Sequence, residues 1–258
     1  MTSTESPDFD LERDKMAGRN MALVLAGGTG SRMNSETPKQ FMLIQGKPLL
    51  YYTIEAFERC EDVQDIIIVC GEDMIARCQR EVVDPFSFSK VRRIVAGGKE
   101  RYHSSYAGIS GIQEKCDLVF IHDGARPCIT PEIISATAKA AAENGSAIAA
   151  VKVKDTIIKA KAPGSLSEAV VDRSELWQVQ TPQTFHYELL REAFEKFAAE
   201  GFGNVTDDAM VVEQMTGVKT RIVTGSYENI KVTTTEDLGI AKVFLGAQGR
   251  LSQNPKTL

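Results

Sequence analysis

Short apolar runs of strand length alternate with stretches of helical periodicity from residue 21 to about residue 153, and this rhythm limits the possible folds more than any other feature. Strand-length runs fall at 21–26 (MALVLA), 65–70 (DIIIVC), 91–96, 118–122 (LVFIH) and 147–153. Helical spacing fills the gaps at 49–59, 74–83, 101–115 and 131–144, the last with proline in its first turn. DIIIVC and LVFIH carry no polar alternation, as strands buried on both faces of a parallel sheet require. The pattern predicts an α/β fold, a mainly parallel sheet with helices on both faces.

After Val153 the rhythm breaks. TIIKA and EAVVD flank a Pro163-Gly164 turn, which reads as a projecting β-hairpin over 154–172. A lone two-stranded hairpin is marginal in water, so this one packs either on its own domain or on a second copy of the chain. Further helices are expected at 187–200, 206–215 and 235–245, with strands at 220–224 and 230–233.

The chain has 258 residues, and a domain of about 250 buries close to three quarters of its unfolded surface, so neither a disulfide nor a structural metal is needed. Its five cysteines form no C-x-x-C pair and its three histidines complete no zinc-ligand spacing, which predicts single thiols in a reducing cytoplasm. Residues 1–20 are acidic and lack an apolar stretch; they read as a disordered extension, neither a targeting peptide nor an anchor. Residues 246–258 read as a flexible tail, leaving one domain over 21–245. No apolar run reaches the ~18 residues of a membrane span. A net charge of -5 disfavours general nucleic-acid binding.

In an open parallel sheet, ligands bind beyond the carboxyl ends of the strands. The first strand is followed by Ala26-Gly27-Gly28-Thr29-Gly30-Ser31-Arg32-Met33 and then Pro38-Lys39-Gln40. Glycines let backbone N–H groups approach a phosphate closely. This is no Walker A loop, because Lys39 lies nine residues past Gly30 and Gln40 follows it. Nor is it a dinucleotide fingerprint, since Met33 replaces the third glycine and Pro48 stands where a ribose-binding acid belongs. What remains is a glycine loop with two cations, Arg32 and Lys39, suited to a triphosphate, the competing reading being a plain turn.

The third strand ends in Gly97-Gly98-Lys99-Glu100-Arg101, with Ser104 one turn into the next helix, where backbone amides could read a base or ribose. His122-Asp123-Gly124-Ala125-Arg126-Pro127 ends the fourth, which reads either as substrate contacts or as a simple Asp123–Arg126 ion pair. His122 and His186 read as packed or solvated side chains. Late segments, Asp172-Arg173, Thr181-Pro182-Gln183, Thr206-Asp207-Asp208 and Asn229 to Thr233, add hydroxyls and charges.

Taken in order, AGGTGSRM, PKQ, GGKER with Ser104, HDGARP, KDT, VDRSELWQVQTPQTF, TDD and ENIKVTTTEDL resemble the 2-C-methyl-D-erythritol 4-phosphate cytidylyltransferases over about residues 21–245. The resemblance implies a Rossmann-like fold of the nucleotide-diphospho-sugar transferase kind, with the 154–172 hairpin as a dimerisation arm. It implies transfer of CMP from CTP to the polyol phosphate in the non-mevalonate isoprenoid pathway. Ala26, Gly27, Gly28 and Gly30 would hold CTP, with Gly98 and Ser104 near the cytosine and Lys99 and Gly124 near the ribose. Arg32 and Lys39 would grip the triphosphate and, with Lys231, stabilise the transition state. Asp123, Arg126, Thr156 and Lys231 would face the methylerythritol phosphate, joined by Arg173 and Thr181 of a neighbouring subunit. Two positions depart from the family pattern: Lys99 where an acid is common, and Gly124 where alanine is common.

A site rich in cations and poor in bases suits such a reaction. A phosphate monoester, with its second pKa about 6, is already mostly dianionic at neutral pH and can attack without a general base. Magnesium, held mainly by the CTP phosphates, would orient them. The sister ribitol-5-phosphate cytidylyltransferases share the glycine loop, PKQ and TPQ, and remain the alternative enzyme; a non-catalytic nucleotide-binding module is the alternative class.

Overall fold

The computed structural model describes residues 19–28, 37–166 and 168–251. Strand β1 (Arg19–Leu25) leads through a small hairpin, β2 (Leu43–Ile44) and β3 (Lys47–Pro48), into helix α1 (Leu49–Arg59) and strand β4 (Asp65–Cys70). A short helix α2 (Ile75–Cys78), extended by a wider turn at Gln79–Val83, replaces the regular helix expected over 74–83. Strand β5 (Val91–Ala96), helix α3 (Arg101–Ser110), strand β6 (Cys116–Asp123), helix α4 (Pro131–Asn144) and strand β7 (Ser146–Lys152) follow. The arm, β8 (Ile157–Lys159) and β9 (Ala169–Val171), then precedes strand β10 (Trp177–His186). Helices α5 (Tyr187–Ala199) and α6 (Asp208–Thr216), strand β11 (Arg221–Thr224) and helix α7 (Thr235–Ala247) complete the chain.

The seven-stranded sheet runs β11-β7-β10-β6-β1-β4-β5. All its neighbours pair in parallel except β10, which is antiparallel to both β6 and β7. Side chains alternate across a strand, so β1 sends Ala22 and Val24 to one core and Met21 and Leu23 to the other. The first core is closed by α1 and α4 through Ile54, Phe57 and Ile134. Across the sheet, α3, α5 and α6 supply Ile109, Phe194 and Val212. A third cluster joins Leu49 and Tyr52 of α1 to Ala241 and Leu245 of α7 and to Val232.

Several further expectations change. Strand β10 was not anticipated, because Gln180, Thr181, Gln183 and Thr184 are polar and yet buried in the sheet. Their polarity is satisfied internally, as in the 2.9 Å bond from the Thr184 hydroxyl to that of Thr137. Helix α3 stops at Ser110, where Gly111 closes it by donating to Ala107 O at 3.0 Å. Residues 230–233 form no sheet strand; Val232 N–H bonds Ala125 O at 2.8 Å, pinning an extended loop to the end of β6.

The tail also differs from expectation. Helix α7 continues to Ala247, and the Arg250 side chain, only 6% exposed, pairs with Glu55 at 3.1 Å and donates to the carbonyls of Pro127 and Ile129. One buried guanidinium thus fixes a segment whose composition suggests a loose end. At the other terminus, Arg19 and Asn20 already belong to the domain, and Arg19 pairs with buried Asp65 at 2.5 Å. The expectations for residues 1–18 and 252–258 lie outside the described residues. Among the described residues no helix is long and apolar enough to cross a membrane.

Candidate active site

From β1 the chain moves to β4 and β5 on one side, then returns to place β6 on the other, and the reversal opens a crevice at the carboxyl ends. The cleft there encloses about 690 Å³, counting the space at its open mouth. Ala26, Gly27 and Gly28 form one wall, Gly98 to Arg101 with Ser104 a second, and Asp123 to Ala125 a third; Lys39 and Lys231 complete it.

Backbone bonds hold these walls to the sheet. Ala26 N–H donates to Val69 O at 2.7 Å, and Gly124 N–H to Leu25 O at 2.8 Å. A Cβ on Gly28 would lie 3.5 Å from Lys39 Cε and 3.8 Å from its Nζ, so the ammonium rests over the glycine segment. Lys39 is steadied by a 3.4 Å bond to Val232 O. At Gly98 a Cβ would come within 2.4 Å of His103 Cβ, which leaves room for glycine alone. Ser104 Oγ accepts the Gly98 N–H at 3.2 Å and so tethers that loop to α3.

Asp123 is the electrostatic centre. Its carboxylate meets Lys231 Nζ at 3.0 Å, Arg126 Nε at 3.3 Å and Arg101 Nε at 3.3 Å. Burial by itself would push this carboxyl up, but the charges of Arg101, Lys231 and Arg126 outweigh it and hold it far below the usual carboxylate range. Arg101 also reaches Asp208 at 2.5 Å. Burial works against the Arg101 charge, yet Asp208 and Asp123 more than offset it and raise its pKa.

Behind Asp123 lies a chain of hydrogen bonds whose directions can be assigned. Asp123 N–H donates to Thr181 Oγ1 at 3.1 Å, and that hydroxyl lies 3.0 Å from His122 Nδ1. The Arg126 carbonyl, 3.3 Å from His122 Nε2, can only accept, so the proton sits on Nε2 and Nδ1 accepts from Thr181. Burial lowers the His122 pKa to about 3, so the ring is neutral.

Ala26, Gly27, Gly28, Lys39, Gly98, Lys99, Ser104, Asp123, Gly124 and Lys231 therefore converge on one cleft, with Arg126 bonded beside it. Gly30 and Arg32 lie outside the described residues. Thr156 and Arg173 do not line the cleft; both are exposed at the neck of the arm, where Arg173 Nη1 donates to Lys154 O at 2.5 Å. Thr181, expected from a neighbouring subunit, sits beside Asp123 of its own chain because it lies on β10, inside the sheet. Arg101 and Asp208 escape a reading by motif. They belong to GGKER and TDD, but their pairing spans 107 residues and only the fold reveals it.

Among the described residues no three of His, Cys, Asp and Glu come together as a metal cage, and Asp123 is already shared by three cations. The donor set of the described residues does not suit a cation held by side chains alone.

The family model described as IspD, 2-C-methyl-D-erythritol 4-phosphate cytidylyltransferase, matches residues 20–247. A protein of that name from Lachnospira eligens is 45% identical over 227 residues, covering 88% of this chain and 99% of its own length. One from Caldanaerobacter subterraneus is 44% identical over 224 residues, 87% of this chain and 97% of its own. The crystal structure of 4-diphosphocytidyl-2C-methyl-D-erythritol synthase from Anaerococcus prevotii superposes with a TM-score of 0.76 at 29% identity, covering 89% of this chain and 96% of that one. On the strength of its sequence, its fold and these matches across nearly its whole described length, the chain belongs to the 2-C-methyl-D-erythritol 4-phosphate cytidylyltransferase family.

Proposed function

We propose that the chain transfers a cytidylyl group from CTP to 2-C-methyl-D-erythritol 4-phosphate, releasing pyrophosphate, as a step of non-mevalonate isoprenoid synthesis. The observation that carries this reading is the single cleft in which a glycine segment under Lys39 faces an Asp123 carboxylate ringed by Lys231, Arg126 and Arg101. One side suits a triphosphate, and the other suits a ligand with both hydroxyls and a phosphate.

A phosphate oxygen of the polyol phosphate attacks the α-phosphorus of CTP. The new P–O bond forms as the bond to the β-phosphate bridging oxygen breaks, and that electron pair leaves with pyrophosphate. The attacking group is already dianionic, so the site's task is to bring two anions together and to meet the charge on the pentacoordinate phosphorus. Lys39, bonded to the carbonyl of Val232, and the adjacent Lys231 do this together, with Arg32 as a third cation. Asp123 accepts hydroxyls of the polyol while Arg126 draws its phosphate; Ala26 to Gly28 and Gly30 carry the triphosphate on backbone N–H groups. Gly98 and Ser104 border the base, Lys99 and Gly124 the ribose. Magnesium would arrive on the triphosphate oxygens and offset their charge.

The arm completes the site in a homodimer. Ile157 and Ile158 are exposed on β8, and Leu166 at the tip is 90% exposed, an apolar surface that a second copy would cover. Docked there, the arm would carry Thr156 and Arg173 to the partner's polyol phosphate.

The test is pyrophosphate release from CTP with methylerythritol phosphate and, in parallel, with ribitol 5-phosphate. Preferred turnover of the first supports the reading; preferred turnover of the second assigns the sister activity, and CTP binding without turnover of either leaves only a binding module.

A further inference from the structure

Asp208 opens α6 and is wholly buried, although the chemistry above makes no use of it. Its backbone N–H and that of Ala209 both donate to Gln183 Oε1, at 3.1 and 3.0 Å, which ties the helix start to β10. Its carboxylate points the other way and takes Arg101 Nη1 at 2.5 Å. The same guanidinium gives Nε to Asp123 Oδ1 at 3.3 Å.

Two atoms of this ion pair, Arg101 Nη2 and Asp208 Oδ1, are buried without a partner among the described residues. An end-on fork, Nη1 and Nη2 against both carboxylate oxygens, would satisfy them together. Instead the guanidinium reaches across, one nitrogen on each carboxylate. Buried polar atoms are rarely left unmatched, so an arrangement that leaves two in order to span both carboxylates calls for a reason.

We propose that Asp208 is a positioning residue for the polyol phosphate: it holds Arg101 at 2.5 Å and leaves it 3.3 Å from Asp123, so that Asp123 is fixed without being fully claimed and keeps acceptor capacity for substrate hydroxyls. The inference rests on the reading that Asp123 faces that substrate. A carboxylate has about four acceptor positions, and three cations at 3.0 to 3.3 Å leave room for more. Without the Asp208 charge, the buried guanidinium is drawn wholly onto Asp123, because an uncompensated buried cation is costly. Asp123 is then withdrawn from the substrate.

Steady-state kinetics of Asp208→Asn, Arg101→Gln and the double variant decide the matter, and KM does not depend on what fraction of a preparation is folded. Asp208→Asn, which keeps the shape and can still accept from Arg101, raises KM for methylerythritol phosphate about tenfold and moves KM for CTP by no more than about twofold. Arg101→Lys, keeping the charge but not the span, shifts the same KM. The double variant matches Arg101→Gln alone, since Asp208 acts through Arg101. An unchanged polyol-phosphate KM, an equal rise for both substrates, or single effects that multiply in the double variant would overturn the proposal. A wild-type protein inactive with methylerythritol phosphate defeats the functional reading first; with an active wild type, the variants alone decide.

Discussion

Alanine at Gly124 is the most informative single methyl that can be added to this molecule. Its Cβ would lie 2.9 Å from Leu50 Cδ1 and 3.0 Å from the Leu25 carbonyl oxygen. Comfortable contacts between carbon atoms are about 3.5–4.0 Å, so both neighbours would have to retreat. Neither is free to do so. Leu50 is wholly buried, and the Leu25 carbonyl accepts the N–H of Gly124 itself at 2.8 Å. On the far side the Gly124 carbonyl accepts the Thr53 hydroxyl at 3.0 Å, which blocks a shift of the whole peptide. Overpacking of this kind costs about 1–3 kcal/mol, and in a chain of this size each kcal/mol lowers the melting temperature by about 3 °C. The assay is thermal and urea denaturation of Gly124→Ala, Leu50→Val and the double variant. The added methyl should cost about 1 kcal/mol less when Leu50 is shortened. Melting of Gly124→Ala at the wild-type temperature, or an equal cost in both backgrounds, would refute the contact reasoning. Alanine at this position is compatible only with a smaller or displaced residue at position 50.

Lys39→Ala should lower turnover by about 10²-fold to 10³-fold while the protein melts normally; an unchanged turnover number would remove Lys39 from transition-state stabilisation. If the arm serves the partner's site, verified heterodimers of Lys39→Ala and Arg173→Ala protomers regain one intact site of two, about half the wild-type rate per dimer. No recovery would mean that each chain supplies its own Arg173. His122 gives a pH signature. Its folded pKa of about 3 lies below the unfolded value near 6.5, so the unfolded chain binds the extra proton between those limits, and stability falls as pH drops through that window. From pH 7.5 to pH 5 this amounts to about 2 kcal/mol, a loss that His122→Asn should not show. Equal acid sensitivity in both proteins would place the titrating group elsewhere.

What could be read from the sequence follows from where polarity sits. Strands β1, β4 and β6 announce themselves because both their faces are apolar and buried, as Ile66 to Val69 show. The glycine segment, Lys39, Gly98, Ser104 and Asp123 were legible because they fall just past strand ends, where the topology puts the crevice. By contrast, β10 buries Gln180, Thr181, Gln183 and Thr184, and buried polar residues look like a loop until their partners are known. The run Ile230 to Thr233 misleads in the opposite sense. Val232 is buried and Lys231 points to Asp123, an alternation that one backbone bond to Ala125 imposes on a loop. Arg250 shows the limit of composition, since a single anchored side chain outweighs a run of glycine and glutamine around it. Asp208 and Arg101 were visible as residues but not as a pair.

The position of β10 between β6 and β7 also sets an order of construction. Both flanking strands leave the ribosome before the one that joins them, so a nascent chain ending at β7 has a first piece of four strands, β6-β1-β4-β5, and a β7 that lacks both its neighbours. Asp123 is synthesised with the first piece. Thr181, which anchors its backbone, comes only with β10, and Lys231, which pairs with its carboxylate, later still. The reacting cleft is thus among the last parts of the molecule to be assembled. Prematurely terminated chains, however well their first strands associate, lack the Thr181 and Lys231 that complete the surroundings of Asp123.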